Sequence, residues 1–92
     1  MAEEKDVQVL IDGLRAQIDE IDKELVCLLN KRAEKSLAIR ALKPKAKMGL
    51  FDPKREEEIF ERVVELNSGP LYSDDIRAIF ATILRVSKEM RG

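Results

Sequence analysis

The sequence contains no histidine and a single cysteine, Cys27. A lone cysteine cannot form an internal disulfide, and without histidine the commonest general base and a frequent zinc ligand are both missing. No apolar run is long enough to cross a bilayer or to form the core of a signal peptide. We therefore expect a cytoplasmic protein with no metal site and no membrane partner. Its chemistry should be carried by arginine, lysine, carboxylate or hydroxyl groups.

Aromatic residues, glycine and proline are also scarce, with three Phe, one Tyr, four Gly and three Pro in 92 residues. Charged residues make up 38% of the chain, a composition typical of helices packed on helices and not of a β sandwich. Seventeen Lys and Arg against 18 Asp and Glu leave no basic surface for nucleic acid. A single domain of this length is only marginally stable, so a partner chain is expected.

The apolar residues in the first half of the chain follow a helical rhythm, in alternating steps of four and three. They are Leu14, Ile18, Ile21, Leu25 and Leu28, and the rhythm resumes at Ile39 and Leu42. The pattern predicts one helix over about residues 6–42, which would be about 55 Å long. A compact domain of this size is only about 30 Å across. The helix should therefore extend beyond its own domain, and its apolar stripe should need a second chain.

Two shorter helices are predicted after a loop, at about residues 53–67 and 73–90. Asp52 followed by Pro53 is typical of a helix start, and Ser73 is the expected cap of the last helix. The apolar residues predicted for the two faces are Ile59, Phe60, Val63 and Leu66, then Ile76, Ile79, Phe80 and Ile83. The predicted fold is all-α, a single domain over 1–92 with three helices, one very long, forming an intertwined helical homodimer.

Cations occupy two positions where the long stripe would continue with apolar residues, Arg32 and Lys35. Burying an arginine is unfavourable unless an anion meets it, so Arg32 indicates either an internal ion pair or a ligand contact. Lys43 follows eleven residues later on the same helical face, where the two cations could hold a small anion between them. Taken alone, Lys43 is better explained as a last-turn lysine that interacts with the dipole of its own helix.

Other polar candidates are individually ambiguous. Ser87 interrupts the apolar face of the last helix, and Arg91 follows it at i+4. Arg15 precedes Arg32 by seventeen residues, about 25 Å along a helix, so one small ligand cannot contact both within one chain. A site that used both arginines would span two chains.

These residues in this order resemble the all-helical chorismate mutase family over about residues 10–91. The resemblance rests on the segments Leu14-Arg15, Ile18-Asp19, Ile21-Asp22, Leu28-Leu29-Asn30-Lys31-Arg32, Lys43, Asp52-Pro53-Lys54-Arg55-Glu56 and Asn67-Ser68-Gly69-Pro70-Leu71. It implies an isomerase of aromatic amino-acid biosynthesis that rearranges chorismate to prephenate without a cofactor. It also implies a homodimer whose active sites are shared between chains.

The resemblance gives each candidate a role. Arg15 would come from the partner chain, Arg32 would bind a substrate carboxylate, and Lys43 would donate to the ether oxygen. Ser87 falls at the position of a substrate-contacting serine. Arg91 stands where many members have a glutamine that also meets the ether oxygen.

The same resemblance places three residues around the end of the loop. Asp52 and Glu56 would meet the substrate hydroxyl, and Arg55 would bind the second carboxylate region. Capping and a solvated surface would explain these three residues equally well without a substrate.

Three other functions fit parts of the pattern. Isochorismate-pyruvate lyases resemble these mutases in fold and substrate charge, although Asp52, Arg55 and Glu56 favour the mutase. A regulatory domain of a shikimate-pathway enzyme could bind chorismate or prephenate with the same residues. A purely structural dimerisation module would use Arg32 and Lys43 in ion pairs. The sequence does not decide whether the chain stands alone or belongs to a bifunctional enzyme.

Overall fold

The computed structural model describes residues 2–44 and 52–90. They form three helices, α1 (Ala2–Leu42), α2 (Pro53–Leu66) and α3 (Ser73–Glu89), and no strand occurs in these two ranges. The predicted all-α class with one very long helix is confirmed. Helix α1 begins four residues earlier than predicted, and Glu3 and Glu4 in its first turn suit the positive end of the helix dipole. The predicted loop lies mostly at residues 45–51, outside the described residues.

The chain divides into two compact units, one ending at Glu34 and the other beginning at Lys35. In the N-terminal unit the predicted apolar stripe lies on the surface of the single chain. The exposed fractions are 59% for Leu14, 54% for Ile18, 55% for Ile21, 50% for Leu25 and 60% for Leu28. A continuous apolar stripe of this kind on a helix surface usually marks an interface.

The C-terminal unit holds the core, which forms where α2 packs against α3. Ile59, Val63 and Leu84 are buried, and partly buried Phe60, Ile76 and Phe80 pack around them. Ile59 and Val63 lie one turn apart on the predicted face of α2. Leu66, predicted on the same face, is instead largely exposed at the last position of the helix.

The start of α2 is capped as predicted. The Asp52 side chain accepts a hydrogen bond of 3.0 Å from the Arg55 backbone N–H, and Pro53 occupies the first turn. The first turn of a helix has N–H groups without helical partners, so this carboxylate stabilises the helix start.

The predicted cap of α3 is wrong. Ser73 is already the first helical residue, and Tyr72 takes the capping position. The Asp75 carboxylate accepts a hydrogen bond of 3.0 Å from the Tyr72 N–H, which fixes the helix start from inside the first turn.

The turn between α2 and α3 is held by Asn67. Its side chain accepts a hydrogen bond from the Gly69 N–H at 3.1 Å and donates one to the Leu71 carbonyl at 2.7 Å. Gly69 has φ +83°, a left-handed conformation that glycine adopts without steric cost. This turn returns the chain so that α3 packs on α2. None of the described helices is long and apolar enough to cross a membrane.

Candidate active site

Lys43 lies at the end of α1 in a continued helical turn. Its backbone N–H donates to the Ile39 carbonyl at 2.9 Å, so the helical hydrogen bonding reaches one residue beyond Leu42. Lys43 is half-buried and takes part in a further interaction. Its position is therefore fixed by the last turn of α1.

The Arg40 side chain joins this turn to the end of α3. Its guanidinium donates to the carbonyls of Ser87 at 2.9 Å and Lys88 at 3.0 Å, and also to the carbonyl of Met90. The last carbonyls of a helix have no partners within it, and a guanidinium with five N–H donors can satisfy several at once. Arg40 therefore places the predicted Ser87 close to the turn that carries Lys43.

Glu56 joins the start of α2 to the same end of α3. Its carboxylate lies 2.7 Å from the Lys88 ammonium, and the Glu56 side chain is only 23% exposed. Because Lys88 directly follows Ser87, this ion pair brings Glu56 near the predicted serine. Ser87 itself is half-buried.

Asp52 and Arg55 complete the first turn of α2. Asp52 is half-buried and its backbone carbonyl accepts from the Glu56 N–H at 3.1 Å, while one of its carboxylate oxygens caps the Arg55 N–H. The Arg55 guanidinium is 3.6 Å from the Glu58 carboxylate, with both side chains about half exposed. An exposed pair of this kind contributes little stability, so Arg55 can exchange Glu58 for another anion at small cost.

Four predicted residues thus lie near the ends of three helical segments that the contacts of Arg40 and Lys88 bring together in the C-terminal unit. Lys43 follows α1, Glu56 and Asp52 lie at the start of α2, and Ser87 lies near the end of α3. Arg55 is on the same turn of α2 but exposed. Cationic donors, a hydroxyl and carboxylate acceptors in one region can bind an anion that also carries a hydroxyl group.

The remaining predicted residues belong to other parts of the chain. Arg15 and Arg32 belong to the N-terminal unit, in which Arg15 is exposed and Arg32 half-buried. Arg91 lies outside the described residues.

Two residues of the region, Arg40 and Lys88, were not predicted as site residues. Each makes its contact with a residue that lies 32 or more positions away in the sequence. A basic residue in the last turn of a helix ordinarily indicates interaction with that helix's own dipole, as it would for Arg40 in α1 and for Lys88 in α3. Local spacing therefore gave no sign of either contact.

A second concave surface, on α2, is not suited to an anionic ligand. A shallow groove along α2 is lined by Pro53, Lys54, Glu57, Glu58 and Glu61. Three carboxylates against one lysine disfavour an anionic ligand there. Within the described parts of the chain, no three His, Cys, Asp or Glu side chains are grouped to hold a metal ion.

Comparison with known proteins identifies the family. The family model described as chorismate mutase type II matches residues 14–91. A bifunctional chorismate mutase/prephenate dehydratase from Aquifex aeolicus is 46% identical over 54 residues, covering 59% of this chain and 15% of the relative. The matches span only 15% to 22% of the length of the curated relatives.

Solved structures agree over most of the chain. Chorismate mutase (form II) from Thermus thermophilus has a TM-score of 0.84 at 31% identity, covering 87% of this chain and 91% of that one. Chorismate mutase from Helicobacter pylori in complex with prephenate has a TM-score of 0.78 at 32% identity, covering 87% of each chain. The resemblance seen in the sequence is confirmed, and the chain belongs to the chorismate mutase type II family.

Proposed function

We propose that this chain is a chorismate mutase, a cytoplasmic isomerase that rearranges chorismate to prephenate with no cofactor. One observation carries the proposal. The family match over residues 14–91 includes all eight predicted site residues, and four of them lie on helix ends that the contacts of Arg40 and Lys88 bring together in the C-terminal unit. The relative from Helicobacter pylori, which covers 87% of this chain, is in complex with prephenate.

The reaction is an intramolecular [3,3] rearrangement that breaks a carbon–oxygen bond and forms a carbon–carbon bond. No proton is transferred and no covalent intermediate with the protein forms. The protein must therefore hold the dianionic substrate in a compact conformation, with its enolpyruvyl arm over the ring. Arg32 and Arg55 are proposed to bind the two carboxylate regions, because a guanidinium orients a carboxylate through paired hydrogen bonds.

Lys43 is proposed to stabilise the transition state. As the carbon–oxygen bond stretches, negative charge grows on the ether oxygen, and an ammonium donor there binds the transition state more strongly than the substrate. Arg91, which stands where a glutamine is usual, is proposed to donate to the same oxygen. A guanidinium donates hydrogen bonds as an amide does and adds a positive charge.

Asp52 and Glu56 are proposed to face the substrate hydroxyl, whose single O–H hydrogen the two carboxylates share as acceptors. Glu56 is held by Lys88, which leaves its second carboxylate oxygen for the substrate. Asp52 uses one oxygen as the cap of α2 and retains the other. Ser87 is proposed to contact the substrate through its hydroxyl from the end of α3.

The functional unit is proposed to be a homodimer in which Arg15 enters the site of the partner chain. The exposed stripe of α1 supports a second copy, because five Leu and Ile side chains are half exposed or more. Full burial of one such side chain contributes about 1.5–3 kcal/mol, so covering five half-exposed ones on each chain adds several kcal/mol. Sedimentation equilibrium should give a dimer at micromolar concentration, and a folded monomer there would contradict the proposal.

An assay without added cofactor tests the activity. Purified protein is mixed with chorismate, the loss of chorismate absorbance is followed, and the product is identified by its conversion to phenylpyruvate in acid, since chorismate and prephenate have the same mass. Formation of prephenate at a rate that exhaustive chelation leaves unchanged is the expected result. Turnover of isochorismate with release of pyruvate would instead indicate a lyase. Binding of prephenate without turnover would indicate a regulatory domain.

A further inference from the structure

Arg40 makes an extensive set of side-chain hydrogen bonds in the C-terminal unit. It lies in the last turn of α1, is half-buried, and donates to the backbone carbonyls of Ser87, Lys88 and Met90. Arg85, an arginine on α3 itself, bonds instead to exposed Glu89 one turn away. Arg40 is thus distinguished from Arg85 by both the number and the reach of its contacts.

The acceptors are the carbonyls that a helix end leaves without partners. Helix α3 ends at Glu89, and Met90 follows with φ −60° and ψ 141°, an extended conformation and not the left-handed one of a glycine cap. The guanidinium supplies N–H donors and a positive charge at the negative end of the helix dipole. Arg40 therefore replaces a local cap with one provided by another helix.

This cap acts on the segment that carries predicted site residues. The Ser87 carbonyl is itself one of the acceptors, and the Met90 carbonyl belongs to the peptide bond that leads into Arg91. The residues at a helix end fray unless their carbonyls find partners outside the helix. Arg40 ties them to the turn in which Lys43 follows three residues later, a turn that remains helical through the Lys43 to Ile39 hydrogen bond.

We propose that Arg40 is a positioning residue that sets the distance between Lys43 and the Ser87 end of α3. The role rests on the proposed function, because it matters only if both ends contact one substrate. A displacement of about 1 Å in such a site can reduce turnover by about a hundredfold. The three hydrogen bonds restrict that displacement without any contact between Arg40 and the substrate.

The test compares Arg40→Ala and Arg40→Lys with the matched control Arg85→Ala, which removes an exposed arginine from the same end of α3. Arg40→Ala should lower kcat/KM for chorismate by about ten- to a hundredfold. Arg40→Lys should recover part of this loss, because an ammonium can still donate to one or two of the carbonyls. Arg85→Ala should stay within about twofold of the wild type, since an exposed pair contributes little.

Two readouts separate positioning from general stability. Amide hydrogen exchange of residues 86–90 should become at least about tenfold faster in Arg40→Ala, while exchange at the buried core residue Val63 stays unchanged. In addition, Ser87→Ala should cost less in the Arg40→Ala background than in the wild type, because Ser87 is already displaced. Additive losses, or faster exchange with unaltered kcat/KM, would overturn the proposal.

Folding and function are checked in the same set of proteins. If Arg40→Ala loses its helical circular dichroism, Arg40→Lys decides the outcome. A reduced kcat/KM with faster exchange at residues 86–90 in Arg40→Lys is then expected, and wild-type values of both would count against the role. A wild-type protein that does not convert chorismate would overturn the proposed function and this role together. An active wild type with an equally active, folded Arg40→Ala would overturn the role of Arg40 alone.

Discussion

At the scale of single residues, Lys43 and Ser87 differ in what each can offer the reacting substrate. Lys43 is a charged donor at the proposed ether oxygen, where one preorganised donor is typically worth about 3–4 kcal/mol. Ser87 offers one neutral hydrogen bond, worth about 1 kcal/mol. We expect Lys43→Ala to lower kcat by about a hundred- to a thousandfold and Ser87→Ala by about fivefold. Steady-state kinetics with chorismate measures both, and equally small effects would show that Lys43 does not contact the breaking bond.

Lys88 offers a second test, because it forms an ion pair with the proposed substrate-binding residue Glu56. The Lys88 side chain is 53% exposed, so the pair should contribute less than about 1 kcal/mol to the free energy of unfolding. Its effect on the position of the Glu56 carboxylate should be larger. We expect Lys88→Ala to raise KM severalfold at nearly unchanged Tm, and Lys88→Arg to restore the wild-type KM. A large fall in Tm with constant KM would assign Lys88 to stability.

The polar residues of the site differ in whether the local sequence pattern indicates them. Arg32 and Ser87 could be predicted as candidates because each stands where helical spacing expects an apolar residue, and Lys43 because it lies on the same helical face as Arg32. Arg40 and Lys88 could not, because their acceptors lie on other helical segments and are set by packing. The spacing within a sequence shows on which side of a helix a residue lies, but it does not show which residue of another helix packs against it.

At the scale of elements, the start of α2 combines a structural and a proposed catalytic use of Asp52. Asparagine is as good an N-cap as aspartate, whereas alanine costs about 1 kcal/mol of stability. We expect Asp52→Asn to retain the Tm but to lose activity, since it removes the carboxylate that accepts from the substrate hydroxyl. Asp52→Ala should lower the Tm and abolish the activity. Thermal unfolding and kcat/KM measured on the two variants separate the roles, and full activity in Asp52→Asn would leave Asp52 as a cap alone.

The core between α2 and α3 should be sensitive to the loss of one side chain. Leu84 is 7% exposed and is one of three buried apolar residues described, whereas Leu66 is 73% exposed. Truncating a buried leucine to alanine typically costs about 2–5 kcal/mol. We expect Leu84→Ala to lower the free energy of urea unfolding by that amount and the matched Leu66→Ala to change it by less than about 0.5 kcal/mol. Similar losses from both would indicate that Leu66 is covered in the assembled protein.

Leu84, the buried residue of α3, was not among the residues predicted for the apolar face of that helix. Ile76, Phe80 and Leu84 follow one another at steps of four and form one edge of a broad apolar face. Ile79 lies on the opposite edge and is 46% exposed. The periodicity predicted the face, but the direction from which α2 approaches decides which edge is buried.

The two helix caps differ in how well the sequence predicted them. The Asp52 cap could be predicted because its partner is three residues away. The Ser73 cap was wrong because Asp75 provides a competing local contact.

At the scale of the whole molecule, the stripe of α1 should control assembly. Leu25 belongs to the stripe, while Lys23 lies about 180° from its centre on the helix. We expect Leu25→Glu to raise the dimer dissociation constant at least about a hundredfold, because it places a charge where apolar contact is needed. Lys23→Glu should change it little. Sedimentation velocity over a concentration series measures both, and equal effects would place the interface elsewhere.

The shared active site gives a prediction about the dimer as a unit. Arg15 and Arg32 are separated by seventeen residues of continuous helix, about 25 Å, so each proposed site takes Arg32 from one chain and Arg15 from the other. Arg15→Ala and Arg32→Ala should each be nearly inactive as homodimers. In a heterodimer of the two, the pocket framed by the Arg15→Ala chain keeps its own Arg32 and receives an intact Arg15. The second pocket lacks both arginines.

Co-refolding equal amounts of the two variants should therefore restore activity. Statistical mixing makes half of the dimers heterodimers, each with one intact site, so about one quarter of all sites should regain full turnover if the sites are independent. Arg32→Ala mixed with Lys43→Ala is the matched control, because both residues belong to the same chain of a site and every pocket keeps one lesion. Recovery in the first mixture and none in the second is expected. If tagged, purified heterodimers of Arg15→Ala and Arg32→Ala stay as inactive as their parents, Arg15 does not act across the interface.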